Sequence, residues 1–338
     1  MCKLCRSDGP YVVQQRLAAQ HSQSRFTYSL TQSTQLDGNV TDTMQVLFLV
    51  AVLAFTPSIG TSRDFQAGTE NERAAGVLED LNTSEEKLLR HKRIVEGQEV
   101  TQGSWPWLVA LGRTGSDGTK YIYCGAVVYD SRHVITAQHC VREHPSSKLI
   151  PTRDLYVVAG EHHLKVKDYT EQERSVRNVF VHADYEERTQ NNDVALLELA
   201  SPLALTPGQV ENLPVNGDGG CPTVGQKCRV AGWGKPSKYG RRSYVPLETT
   251  VEVISNSKCG SLYGTTLHAG KMCAGTGGPD TCTGDSGGPL VCECGGWSVV
   301  AGVVSYGRGC GSASHPGVYT RLSQFQSWIR DVAAMSWW

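Results

Sequence analysis

An all-β domain, barrel or sandwich, closed by one C-terminal helix is the fold class that the larger part of this chain predicts. Three observations carry that reading. After residue 93, short apolar runs are separated by clusters of Gly, Pro, Asp and Ser, the pattern of strands joined by turns. Glycine is abundant, with 36 in 338 residues, which demands many turns. Ten of the twelve cysteines follow residue 123, as in a disulfide framework made in an oxidising compartment. A zinc site is the competing reading of clustered cysteines. Cys292-Glu293-Cys294 comes nearest to one, but no Cys-x2-Cys pair or His-x3-His stands near it, Cys2 and Cys5 being isolated from the other ten.

Charge excludes some functions. With 32 Lys+Arg against 33 Asp+Glu, there is no electrostatic reason to expect nucleic acid as a partner. The chain is long enough for one large or two modest domains with a substantial core.

In chain order, residues 1–43 are polar and without periodicity, and read as a disordered extension. Residues 44–60 resemble a secretory signal, with ten apolar residues from Val46 to Phe55 and a cut expected near Gly60. Ten are too few for a stable membrane span, which needs about 20. A short signal anchor is the alternative. The expected location is extracellular, with translation starting at Met44. Residues 61–93 form a charged, cysteine-free propeptide in which Glu72 to Leu81 and the capping box Thr83-x-x-Glu86 predict helix. It ends in Arg90-His91-Lys92-Arg93, directly before Ile94-Val95-Glu96-Gly97.

Residues 94–338 are the main domain. Strands are expected at Trp107–Leu111, Ala126–Val128, Val134–Thr136, Leu155–Val158, Val176–Val181, Val194–Leu199, Lys227–Ala231, Val251–Ile254 and Val299–Val304. Phe325, Trp328, Ile329 and Val332 recur at helical spacing and predict the terminal helix.

The chemistry centres on Asp280-Thr281-Cys282-Thr283-Gly284-Asp285-Ser286-Gly287-Gly288-Pro289. Gly284-x-Ser286-x-Gly288 fits a nucleophilic serine on either of two unrelated folds. A serine nucleophile needs a base, and the base needs an acceptor that fixes its tautomer. His139 in Thr136-Ala137-Gln138-His139-Cys140 and Asp193 in Asn191-Asn192-Asp193-Val194-Ala195 are the candidates. Their order is His, Asp, Ser. An α/β-hydrolase requires Ser, acid, His, and the one histidine after Ser286 is His315, 29 residues on.

Residues 94–338 resemble the chymotrypsin/trypsin family of serine proteases. The match includes Ile94–Gly97, Ser104-Trp105-Pro106-Trp107, the histidine loop, Asp193–Leu197, Gly232-Trp233-Gly234, Gly284–Pro289, Ser305-Tyr306-Gly307 and Pro316-Gly317-Val318-Tyr319-Thr320. The resemblance implies two six-stranded antiparallel β-barrels with the active site in the cleft between them. It implies that Ser286 is the nucleophile, His139 the base and Asp193 its orienter, with backbone N–H groups of Gly284 and Ser286 as the oxyanion hole. Ser305 resembles the serine that helps hold the aspartate. It further implies the disulfides Cys124 with Cys140, Cys228 with Cys292, Cys259 with Cys273, and Cys282 with Cys310. Cys221 and Cys294 remain, an even count that leaves room for a fifth bridge. One position departs from the family, because Gln138 stands where a small alanine is usual.

The same resemblance implies a zymogen. Cleavage after Arg93 frees an ammonium at Ile94 to pair with Asp285, and the activating protease is of either trypsin-like or basic-convertase type. Asp280 resembles the floor of the trypsin pocket and Gly307 and Gly317 its open walls, so protein or peptide substrates should present Arg or Lys. Arg241-Arg242 is a candidate self-cleavage site. No cofactor is required. Gly160–Glu171 resembles the family's calcium loop, with Glu161 and Glu171 as ligands and Asp168 nearby; the alternative is a solvated charged hairpin. The expected partners are substrates, the activator and protein inhibitors, with the enzyme a monomer. A protease-fold binding or signalling protein with weak or no catalysis is the other reading.

Overall fold

The computed structural model describes residues 97–215, 220–237, 239–278 and 280–335. The expected extension, signal and propeptide, with Arg93 and Ile94, lie outside the described residues. The strands are β1 (Gln98–Glu99), β2 (Leu108–Thr114), β3 (Lys120–Val128), β4 (His133–Thr136), β5 (Leu155–Ala159), β6 (Gln172–Val181), β7 (Ala195–Leu199), β8 (Lys227–Gly232) and β9 (Leu247–Ile254). Helix α1 (Asn256–Tyr263) then precedes β10 (Lys271–Ala274), β11 (Pro289–Cys294), β12 (Trp297–Tyr306), β13 (Gly317–Arg321) and helix α2 (Gln326–Met335).

Two antiparallel barrels result. The first closes in the order β2-β3-β4-β7-β6-β5. In the second, β8 pairs with both β11 and β9, closing β8-β9-β10-β13-β12-β11, and β1 adds to β9.

Why the apolar runs are continuous rather than alternating follows from what each strand face meets. Val109 and Leu111 of β2 and Leu197 of β7 fill the first barrel, while Leu108, Ala110 and Leu196, one residue out of phase, join a second cluster with Trp233 and Val303. Successive side chains of a strand point to opposite faces. Here both faces are covered, and each fully buried Leu or Val contributes about 1.5–3 kcal/mol. The second barrel encloses its own core around Val251, Met272, Leu290 and Tyr319. Ile329, Val332 and Ala333 of α2 and Phe325 just before it pack into the cluster shared by both barrels.

Several elements lie outside the nine expected runs. Strand β10 has four residues, β11 begins at Pro289 and β13 at Gly317, so turn residues mask them. Helix α1 carries little hydrophobic periodicity. It is fixed by its ends, where Ser255 accepts a hydrogen bond from Lys258 N and Gly264 closes the turn at φ 67°. Cys259–Cys273 ties it to β10. Among the described residues no helix is long and apolar enough to cross a membrane.

Candidate active site

Both barrels supply the centre. His139 sits on a 3₁₀ turn, Gln138–Val141, that follows β4, and Asp193 precedes β7, which pairs with β4 through Thr136↔Ala195. That register sets histidine beside carboxylate. His139 Nδ1 lies 2.8 Å from Asp193 Oδ2, and His139 N donates to Asp193 Oδ1 at 2.9 Å. The second barrel completes the grip, with Ser305 Oγ donating to Asp193 Oδ2 at 2.5 Å and Thr320 Oγ1 to Asp193 O at 2.7 Å. Burial alone would lower the basicity of the His139 ring, but the charge and hydrogen bond of Asp193 outweigh it and hold the ring above its ordinary value.

Ser286 reaches this pair by close backbone approach. Gly125 N, in β3, donates to Ser286 O at 2.7 Å. The neighbouring Cys124 is bonded to Cys140, the residue after His139. Glycine is required at Gly287, whose φ is 77° and where a Cβ would lie 2.1 Å from Thr136 Oγ1. Ser286 Oγ makes no hydrogen bond to His139 here, whose Nε2 has Cys140 Sγ at 3.7 Å. Of the expected three-member contact, the His139–Asp193 part is formed and the Ser286–His139 hydrogen bond is not; such bonds tighten when substrate binds.

Asp285, next to Ser286, is 3% exposed. Its carboxylate accepts from Gly234 N at 2.8 Å and Cys282 N at 2.9 Å. Burial nevertheless raises it to about 6. Gly232 and Gly234 make the space, since a Cβ at either would lie 2.3–2.4 Å from Asp285 carboxylate atoms. This explains the Gly-Trp-Gly motif, which the sequence marks without showing its use.

Arg242 has a larger role here than the sequence indicated. Its guanidinium donates to Trp233 O at 3.3 Å, to Gly284 O at 3.2 Å and to Ile122 O. These bonds join the first barrel to the Gly284 loop, close to Asp285. Of the Arg241-Arg242 pair, Arg241 is the exposed one, and Arg242 is held in place.

A cavity of about 410 Å³ opens beside Ser286, lined by Thr281–Thr283, Val304–Gly307, Gly309 and Cys310. Asp280 is 3% exposed and accepts from Thr281 N at 2.8 Å and Gly311 N at 3.2 Å. Burial outweighs those bonds and raises it to about 6. A Cβ at Gly317 would come within 2.9 Å of its Oδ1, while Gly307 is open apart from Gly309 O at 3.6 Å. Cys282–Cys310 braces two walls of this cavity.

All four implied disulfides are present, and Cys221–Cys294 forms the fifth. This engages both Cys292 and Cys294, leaving neither for zinc. Gln138 is fully buried; its Oε1 accepts from His182 N at 3.0 Å, but its Nε2 has no partner. An unmet buried donor costs about 1–3 kcal/mol.

Away from the cleft, carboxylate oxygens of Glu161, Asp168 and Glu171 lie within 4.8 Å of one another. Glu161 Oε1 and Asp168 Oδ2 are buried without hydrogen-bond partners. Burial, then the charges of Glu171 and Asp168, raise Glu161 to about 7. Repelling, unpartnered oxygens of this kind fit a hard cation such as calcium. Lys165 Nζ lies 3.9 Å from the centre of the Tyr244 ring.

Comparison with known proteins gives a consistent picture. The family model described as Trypsin matches residues 94–329. The chain is 37% identical over 254 residues to kallikrein-15 of Saguinus oedipus, covering 71% of this chain and 91% of that protein. It is 31% identical over 245 residues to a trypsin of Xenopus laevis, covering 72% and 91%. To vitamin K-dependent protein C of Oryctolagus cuniculus it is 33% identical over 270 residues, 77% of this chain but 56% of that longer protein.

Proposed function

This chain belongs to the trypsin family of serine proteases, and from that premise we propose that it is a secreted endopeptidase, made as a zymogen, that cuts peptide bonds after Arg or Lys. The observation that carries the specificity is Asp280, a buried carboxylate next in sequence to Thr281, which lines the cavity that opens on Ser286. A carboxylate raised to about 6 by burial is best satisfied by an incoming cation.

The mechanism follows from the contacts. With Nδ1–H donated to Asp193, the His139 ring leaves Nε2 free to take the Ser286 proton as Oγ bonds to the substrate carbonyl carbon. The carbonyl oxygen becomes an anion that accepts hydrogen bonds from the N–H groups of Gly284 and Ser286. His139 returns the proton to the leaving amine as the C–N bond breaks, giving an acyl-enzyme. Water, deprotonated by His139, then releases the acid and frees Ser286. Asp193 remains ionised throughout and balances the imidazolium.

Activation is read from Asp285 and the position of Arg93. Cleavage after Arg93 would provide an ammonium at Ile94, and a buried carboxylate with two N–H donors and, among the described residues, no ion pair is a suitable partner. The family match beginning at residue 94 supports this boundary. Glu161, Glu171 and Asp168 would hold a calcium ion, which would neutralise their mutual repulsion and take no part in bond cleavage.

The test is to cleave the full chain after Arg93, treat it with an active-site serine label, and profile it on a peptide library. Labelling at Ser286 with Arg or Lys preference is expected. An unlabelled Ser286 favours a non-catalytic binding protein, and labelling with neutral preference refutes the specificity alone.

A further inference from the structure

Lys271 is a buried cation that the mechanism above does not use. It lies on β10 and is 4% exposed. Burial pushes it down to about 8, although the charges of Asp193 and Glu186 act to raise it. A lysine so deep must find acceptors. Its Nζ donates to Thr189 O and lies 3.3 Å from Tyr306 Oη, and 4.7 Å from the centre of the Tyr306 ring.

Those partners belong to opposite sides of the cleft. Thr189 lies in the turn that leads from the first barrel to Asp193, and Tyr306 ends β12 between Ser305 and Gly307 and lines the Ser286 cavity. The turn is strained, because Gln190 and Asn192 adopt φ of 51° and 56°, a region that residues with side chains rarely occupy. Its internal bonds, Thr189 Oγ1 to Glu186 Oε2 at 2.7 Å and Asn192 Nδ2 to Asp184 O at 2.7 Å, do not reach the second barrel. Lys271 does. Its own backbone is fixed by Asn256 Nδ2 donating to Lys271 O at 3.0 Å and by pairing with Thr320, which in turn donates to Asp193 O.

We propose that Lys271 is a positioning residue that sets the spacing between Thr189 and Tyr306 and thereby shapes the cleft for the residues preceding the cleaved bond. This rests on the endopeptidase reading above. On this proposal a single blocked arginine fills the cavity alone, and the three further residues of a longer substrate run between these two walls.

The experiment uses the full chain cleaved after Arg93. kcat and KM are measured on a four-residue peptide anilide ending in arginine and on a single blocked arginine anilide, for wild type, Lys271→Met, Lys271→Arg and Tyr306→Phe. The ratio of kcat/KM, long substrate to short, should fall about tenfold in Lys271→Met, through KM. Lys271→Arg should restore it to within about threefold of wild type, and Tyr306→Phe should lower it about threefold. A Lys271→Met ratio within twofold of wild type overturns the proposal, as does equal loss on both substrates. If Lys271→Met fails to fold, Tyr306→Phe decides, an unmoved ratio there being the refuting result. A wild type inactive on both substrates overturns the endopeptidase reading itself; one active on both with an unmoved ratio overturns only the role of Lys271.

Discussion

Ser305 Oγ lies 2.5 Å from Asp193 Oδ2, so a serine of the second barrel fixes the carboxylate that a histidine of the first barrel bonds. The His139–Asp193 pair is therefore held across the interface. Asp193→Asn should keep the fold and lower kcat about 10⁴-fold, because the amide cannot hold the required tautomer. Ser305→Ala removes one charge-assisted bond, worth about 1.5–3 kcal/mol. Because the His139 ring must be neutral to act, activity appears as pH rises through its value, which Asp193 holds above the ordinary one. The acid limb of kcat/KM in Asp193→Asn should shift to lower pH; an unshifted limb would show that Asp193 does not set it.

On the proposed specificity, Asp280 governs substrate binding. In the empty pocket it ionises near pH 6, so KM for arginyl peptides should rise as pH falls below about 6. Asp280→Ser should abolish that dependence and shift preference to neutral side chains. Retained Arg and Lys preference in a peptide library counts against the assignment.

Asp285 should make the uncut chain sensitive to pH in a defined direction. Its folded-state value is raised from 3.8 to about 6, so its contribution is fully present below pH 3.8 and is lost as pH rises through 6. The difference corresponds to about 3 kcal/mol. On the proposed activation, an ammonium pair in the cut chain would remove the penalty. The melting temperature of an Arg93→Gln chain should thus fall relative to the cut wild type between pH 4 and 6.5. Parallel curves would argue against pairing at Asp285.

Arg242→Gln should loosen the Gly284 loop, since it removes a cation that binds Gly284 O and Ile122 O together. The expected loss is about 10-fold or more in kcat, matching a charged hydrogen bond. Affinity for a peptide aldehyde, which forms the oxyanion, should fall in step, while that for a benzamidine, which fills the cavity alone, should be retained. Equal loss for both ligands would assign Arg242 to the pocket instead.

Calcium should raise the melting temperature, and Glu161→Gln should remove most of that gain. Since Glu161 must be ionised to ligate and stands near 7, the calcium effect should weaken below pH 7. A calcium-independent melting temperature at pH 8 would exclude the site.

The sequence by itself determined the fold class, the candidate chemistry and the order of its parts. Apolar runs such as Val194–Leu199, interrupted only by Glu198, mark strands, and His139 and Asp193 ahead of Ser286 separate one serine-nucleophile fold from another. Strands β10, β11 and β13 were not legible because their residues double as turn and loop motifs, and α1 is held by caps and a disulfide rather than an apolar stripe. Only the tertiary structure decided how Asp285 is cradled by Gly232 and Gly234, what Arg242 binds, and that Lys271 is buried between the two walls of the cleft. The longest-range of these contacts join residues 51, 82 and 120 positions apart. Local spacing cannot encode them, because they arise where the two barrels close on each other and exclude water, and there the partner of each buried charge is set by packing.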